Sequence, residues 1–118
     1  MIPKFRAFLK DTNQVLDVEI IFFELCIVKL TNNEFYQFED IILIQSTGVY
    51  DKRGFEIFEW DILTSQDGTD GLISRFIVKR DEFYTGFIPM NREGYGFNRT
   101  MCEVIGNACQ HPELLEDV

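Results

Sequence analysis

Three sets of residues in this chain have types and spacings that could do chemistry. His111 is the single histidine; Cys109 lies two residues before it and Cys102 a strand length earlier. A Ser-His-Asp or Cys-His nucleophile would have to use this imidazole, and the three side chains could in principle ligate a metal. Structural zinc sites take their ligands as two close pairs, a spacing that Cys102, Cys109 and His111 do not have. The second set is Glu56, Glu59 and Asp61, carboxylates suited to general acid and base work or to holding a divalent ion. Alternation along a strand sends Glu59 and Asp61 to one face and Glu56 to the other. A structural role is then favoured, in which Glu59 or Asp61 accepts backbone or arginine hydrogen bonds that fix a turn. The third set, Gly94-Tyr95-Gly96, lacks the strand-turn-helix setting and the lysine of a phosphate loop. The expectation is no enzyme, no metal site and no cofactor.

The elements that must carry these residues read as strands almost throughout. Lys4 to Lys10 alternates, with Phe5, Ala7 and Leu9 on one face, and Val15 to Phe23 continues with Leu16, Val18, Ile20 and Phe22 opposite Asp17 and Glu19. Asp11-Thr12-Asn13 between them supplies a hairpin turn. Leu25 to Leu30 is apolar on both faces apart from Lys29 and suits a central strand, with Cys26 as a small buried hydrophobe. Phe35 to Phe38 and Ile41 to Ile44 follow as strands. Ser65 to Gly71 reads as a polar loop, Leu72 to Arg80 as one long strand, and Phe83 to Met90 as an edge or bulged strand broken by Gly86 and Pro89. Asn91 to Thr100 has no periodicity and reads as a loop, Met101 to Ile105 returns to strand, and His111 to Glu116 places proline and an acid at the start of a short helix.

At the centre lies Gln45 to Leu63, QSTGVYDKRGFEIFEWDIL. Asp51-Lys52-Arg53-Gly54 separates Val49-Tyr50 from Phe55-Glu56-Ile57-Phe58, a hairpin signal in which aspartate can bond the backbone ahead of it and glycine can take positive φ. Gly48 marks a second bend. This stretch resembles the signature of the YopX family of phage and prophage proteins, in which a Thr-Gly, an Asp-Lys-x-Gly turn and an Ile-x-Glu-x-Asp-Ile/Val strand entry follow one another. Lys4-Phe5-Arg6-Ala7 resembles the family's opening, and Glu103-Val104-Ile105-Gly106-Asn107 with His111-Pro112-Glu113-Leu114-Leu115 its ending. Trp60 stands where the family usually has glycine. The resemblance implies a mainly β protein encoded by a phage or prophage, of unestablished biochemical role, with Gly48, Asp51, Gly54, Ile57, Glu59, Asp61, Gly106, Asn107 and Pro112 as its signature positions.

The fold expected is mainly β, an antiparallel, barrel-like single domain over 1–118 with a short C-terminal helix, and with a meander over 1–45 that passes into a barrel-like part over 46–118. The 118 residues can bury a core without disulfides. Three cysteines without paired spacing fit a reducing compartment, the bacterial cytoplasm. The longest apolar run, Ile20 to Phe23, is far short of the roughly 20 residues of a spanning helix, so no membrane is expected. No secretory leader is visible at the start, and the mature protein is expected to be the whole chain.

A net charge of −9 repels phosphate backbones and suits a basic protein partner or the role of a DNA mimic. The leading expectation is therefore a non-enzymatic module for protein contacts, with the host, with the phage or with itself as a homo-oligomer. The alternative is a nucleic-acid-binding module using Lys79-Arg80 and exposed aromatics. Tyr84 and Tyr95, each a large apolar body with a polar tip, complete that candidate contact surface.

Overall fold

The computed structural model describes residues 4–67, 72–82, 86–89, 91 and 101–115. It is mainly β and antiparallel, and divides into two compact units, residues 1–46 and 47–118.

In the first unit β1 (Phe5–Leu9), β2 (Gln14–Phe22), β3 (Ile27–Leu30), β4 (Phe35–Gln37) and the first part of β5 (Ile41–Tyr50) lie in the order β4-β3-β2-β1-β5. The β1–β2 hairpin closes at Asn13, whose φ of 58° is one that asparagine tolerates and whose N–H donates to the Leu9 carbonyl at 2.9 Å. Apolar alternation collects Ala7, Leu9, Val28, Leu30 and Ile41 on one face, with Leu16, Val18, Ile21 and Tyr36 packed against them.

Strict alternation fails within β2. Val18 faces Leu30 but Ile20 faces Lys29, so Glu19 is an inserted bulge residue. A slip of one residue reverses every later side chain. Ile21, opposite Val28, therefore joins the core instead of Ile20, and Ile20 and Phe22 turn to the other face. A second correction concerns the next segment. Strand β3 begins only at Ile27, and Cys26, at φ 54°, is exposed in the preceding turn, its N–H donating to the Phe23 carbonyl at 3.3 Å. A small side chain at positive φ in a hairpin tip has no core to enter.

The second unit holds the end of β5 beside β6 (Glu56–Phe58). It also contains a three-stranded sheet in the order β11-β7-β8 and the ribbon β9–β10. These are β7 (Asp61–Asp67), β8 (Leu72–Ile77), β9 (Lys79–Arg80), β10 (Phe87–Ile88) and β11 (Cys102–Asn107). Its core comprises Ile57, Leu63, Val78 and Cys102, joined by Val49, Phe87 and Val104. The polar residues after Thr64 remain in the ladder, with Ser65 opposite Ser74 and Asp67 opposite Leu72, so that segment is strand as far as Asp67. Leu72 to Arg80 is two strands; between them Val78 stays bonded to the start of β7 but irregularly, donating to the Asp61 carbonyl and accepting from the Trp60 N–H, at 2.9 and 2.7 Å. Of the Phe83–Met90 segment, Phe87 and Ile88 are strand; most of the loop read over Asn91–Thr100 lies outside the described residues. The C-terminal helix is a single 3-10 turn, Pro112–Leu115.

Candidate functional site

Two of the signature acids, Asp51 and Asp61, are committed to the backbone. Asp51 has a carboxylate with no solvent exposure. Its Oδ1 accepts from the N–H groups of Arg53 and Phe55 at 2.9 and 2.8 Å, and its Oδ2 from that of Val104 at 3.0 Å. Burial by itself would raise the Asp51 pKa. The three N–H donors of Val104, Phe55 and Arg53, helped by the Arg53 guanidinium, outweigh it and hold the carboxyl below its ordinary value. Gly54 takes φ 86° and donates to the Asp51 carbonyl at 3.0 Å, which closes the turn.

The same turn lies along the outer edge of β11. Lys52 N–H donates to the Cys102 carbonyl at 3.0 Å and Arg53 Nη2 to the Val104 carbonyl at 2.7 Å, while Lys52 Nζ pairs with Glu103 at 3.0 Å. An edge that could pair with another chain is thus occupied from within.

Most of the remaining signature positions have a mechanical reason. Before the turn, Gly48 has φ 77°, and beside it Thr47 Oγ1 donates to the Ile57 carbonyl at 2.7 Å and accepts from Val49 N–H at 3.1 Å. Ile57 is fully buried, and Asp61 Oδ2 accepts from Phe58 N–H at 2.8 Å. At the C-terminal end Asn107 Oδ1 accepts from Gln110 N–H at 2.7 Å, and Asn107 N–H donates to His111 Nδ1 at 3.3 Å. A β-carbon on Gly106 would lie 2.9 Å from His111 Nδ1 and 3.0 Å from Leu114 Cδ1, so this glycine lets the turn that contains Pro112 close on the strand. Trp60 keeps a φ of 71°, the left-handed conformation that glycine adopts freely, and its carbonyl accepts from Ala108 N–H at 2.7 Å.

His111, Cys102 and Cys109 are each placed by the fold, while Gly94-Tyr95-Gly96 lies outside the described residues. His111 Nδ1 is an acceptor for a backbone N–H, Cys102 is a buried core residue, and Cys109 is half-buried. Burial, with Glu59 and Asp61 nearby, pushes the Cys109 thiol up, which disfavours the nucleophilic thiolate. Among the described residues no group of three or more His, Cys, Asp or Glu is arranged to hold a metal ion.

Of the contact surface read from the sequence, Lys79 and Arg80 are exposed, but each lies over an aromatic ring of its own unit. Lys79 Nζ is 5.9 Å from the centroid of Trp60, and the Arg80 guanidinium 6.0 Å from that of Phe87. Tyr84 and Tyr95 lie outside the described residues.

The surface that sequence reasoning missed is in the first unit. Because the bulge at Glu19 reverses β2, Ile20, Phe22, Ile27 and Phe35 come to one outward face of β2–β3–β4. Phe35 is 57% exposed, and at the adjoining hairpin tip Phe23 and Leu25 are 73% and 67% exposed. The rings of Phe22 and Phe35 lie 6.4 Å apart, as do those of Phe23 and Phe38. The available signal was the six-residue run Ile20-Ile21-Phe22-Phe23-Glu24-Leu25, which is too apolar for both faces of a strand to be covered in a small meander.

Fold and turn together define an antiparallel β protein whose central hairpin is bolted to its last strand by a buried aspartate. A family profile described as YopX protein matches residues 4–116, and the chain belongs to the YopX family. No curated protein matches it. Among solved structures it is similar to the crystal structure of protein EF1440 from Enterococcus faecalis, with a TM-score of 0.72 and 24% identity, covering 98% of this chain and 99% of that one. That likeness is one of fold. Among the described residues no helix is long and apolar enough to cross a membrane.

Proposed function

We propose that this chain is a non-enzymatic protein-interaction module, a phage or prophage accessory protein working in the bacterial cytoplasm. The observation that carries the reading is the outward apolar face of Ile20, Phe22, Ile27 and Phe35 with Phe23 and Leu25 beside it. Apolar side chains gathered on one face and tip, rather than scattered singly, mark a contact surface. Aromatic residues are the usual anchors of such surfaces. The carboxylates of Asp51 and Asp61, by contrast, are spent on backbone N–H groups, which supports a scaffold role for them. The test is a pull-down from nuclease-treated bacterial lysate with tagged wild type and with the double variant Phe23→Ser, Phe35→Ser. A partner identified by mass spectrometry that co-elutes with wild type and is lost with the variant supports the reading; identical eluates overturn it.

A further inference from the structure

Resting on that reading, we infer that the partner engages this face as a basic, extended segment that adds to the sheet as a strand along β4. Strand β4 ends the strand order of its sheet. It meets β3 with Tyr36 opposite Val28; the flanking ladder bonds are Leu30 N–H to the Glu34 carbonyl and Phe38 N–H to the Cys26 carbonyl, each 2.9 Å. In an antiparallel pair alternate residues turn their backbone groups the same way. Glu34, Tyr36 and Phe38 therefore face β3, and Phe35 and Gln37 direct their N–H and C=O groups away from it. The Gln37 carbonyl, at the N-cap, is taken by the first bond of the 3-10 turn Phe38–Asp40; the Phe35 N–H and C=O and the Gln37 N–H are the outward groups for which no backbone hydrogen bond is seen among the described residues.

The chemistry of the occupant follows from what borders the edge. From Phe22 to Asp40 the chain carries four carboxylates, Glu24, Glu34, Glu39 and Asp40, against Lys29, which is paired with Glu19 at 3.5 Å; Lys10, just after β1, adds one more cation there, its Nζ donating to the Glu39 carbonyl at 3.0 Å. All four carboxylate residues are exposed. A second copy of the chain would bring the same acids to the seam, on a molecule of net charge −9. A lysine- or arginine-rich strand places cations among them. Its main chain then supplies the ladder bonds, and its apolar side chains meet Phe35 on the edge strand, the arrangement by which peptides augment exposed sheet edges.

Gln37 permits a clean test. Its φ of −77° is one that proline adopts, and its N–H is among the outward groups, so Gln37→Pro removes an edge donor and blocks the seam while leaving the β3 ladder whole. The probe is a fluorescent synthetic peptide of alternating lysine and valine, titrated at low salt against the full chain, against Gln37→Pro and against Phe35→Ser. Thermal melting of each variant checks the fold. Binding that weakens with added salt, falls by about tenfold or more in Gln37→Pro and also falls in Phe35→Ser is the expected result. Binding lost only in Phe35→Ser would overturn strand addition and leave the interaction face standing. No binding of the basic peptide, or self-association of the chain abolished by Phe35→Glu, would overturn the inference by removing the basic segment as occupant. The lysate experiment above decides the broader reading separately.

Discussion

Both units of this protein end a sheet in an edge strand, and they treat it in opposite ways. At β11 a buried aspartate, a lysine N–H and an arginine side chain from the Asp51 turn occupy the outward main-chain groups of Cys102 and Val104. At β4 the N–H and C=O of Phe35 and the N–H of Gln37 have no backbone bond among the described residues, and the side chains beside them are apolar. Exposed edges invite pairing and are ordinarily closed, shortened or charged. The first unit shortens β4 to three residues and surrounds it with acids, but does not cover it. The contrast fits a stabilising role for the Asp51 turn, and the contact surface proposed above rests on the edge that is left open.

The largest effect should come from unlocking the closed edge. Asp51→Ala leaves three backbone N–H groups without their acceptor, and about 3 kcal/mol of stability should be lost in denaturant unfolding. The same carboxylate gives the fold an acid limit. Its folded pKa lies below the ordinary aspartate value of about 3.9, so its contribution is complete above that pH and is lost as pH falls through the folded value. Wild type should lose stability in that acid range more steeply than Asp51→Ala, and parallel pH profiles would break the comparison.

Next in size is Gly54→Val. Nothing lies within 4 Å of a β-carbon built there, so the cost is that of φ 86° alone, about 1–2 kcal/mol, read as a lowered melting temperature. Trp60 sharpens the same point. Whatever its ring contributes is removed equally by Trp60→Gly and Trp60→Ala, so the glycine variant should be the more stable of the two by about 1 kcal/mol because it relieves φ 71°. The smallest effect belongs to the open edge. Phe35→Ser should cost no more than about 1 kcal/mol of unfolding free energy, the worth of its exposed ring pair with Phe22, while reducing partner binding. A large loss of stability there would mean that Phe35 is part of the core and not of a contact surface.

The sequence by itself determined the β class, most of the strands, the hairpin over Asp51–Gly54 and the family. Those follow from local causes: alternation in Lys4–Lys10, an Asp-to-Gly reversal, and short signatures read along the chain. The sequence pointed to Glu59 or Asp61 as an acceptor of backbone or arginine hydrogen bonds that fix a turn; Asp61 accepts from the Phe58 N–H, only three residues away. What the tertiary structure alone decided is longer in range. The bond from Val104 N–H to Asp51 spans 53 residues, and no local pattern encodes it. The bulge at Glu19 depends on how β2 registers against β3, and that one inserted residue turns Ile20 and Phe22 from expected core to outward face. Local alternation assigns a face only up to the first slip in pairing. Beyond Glu19 the partner strand assigns it.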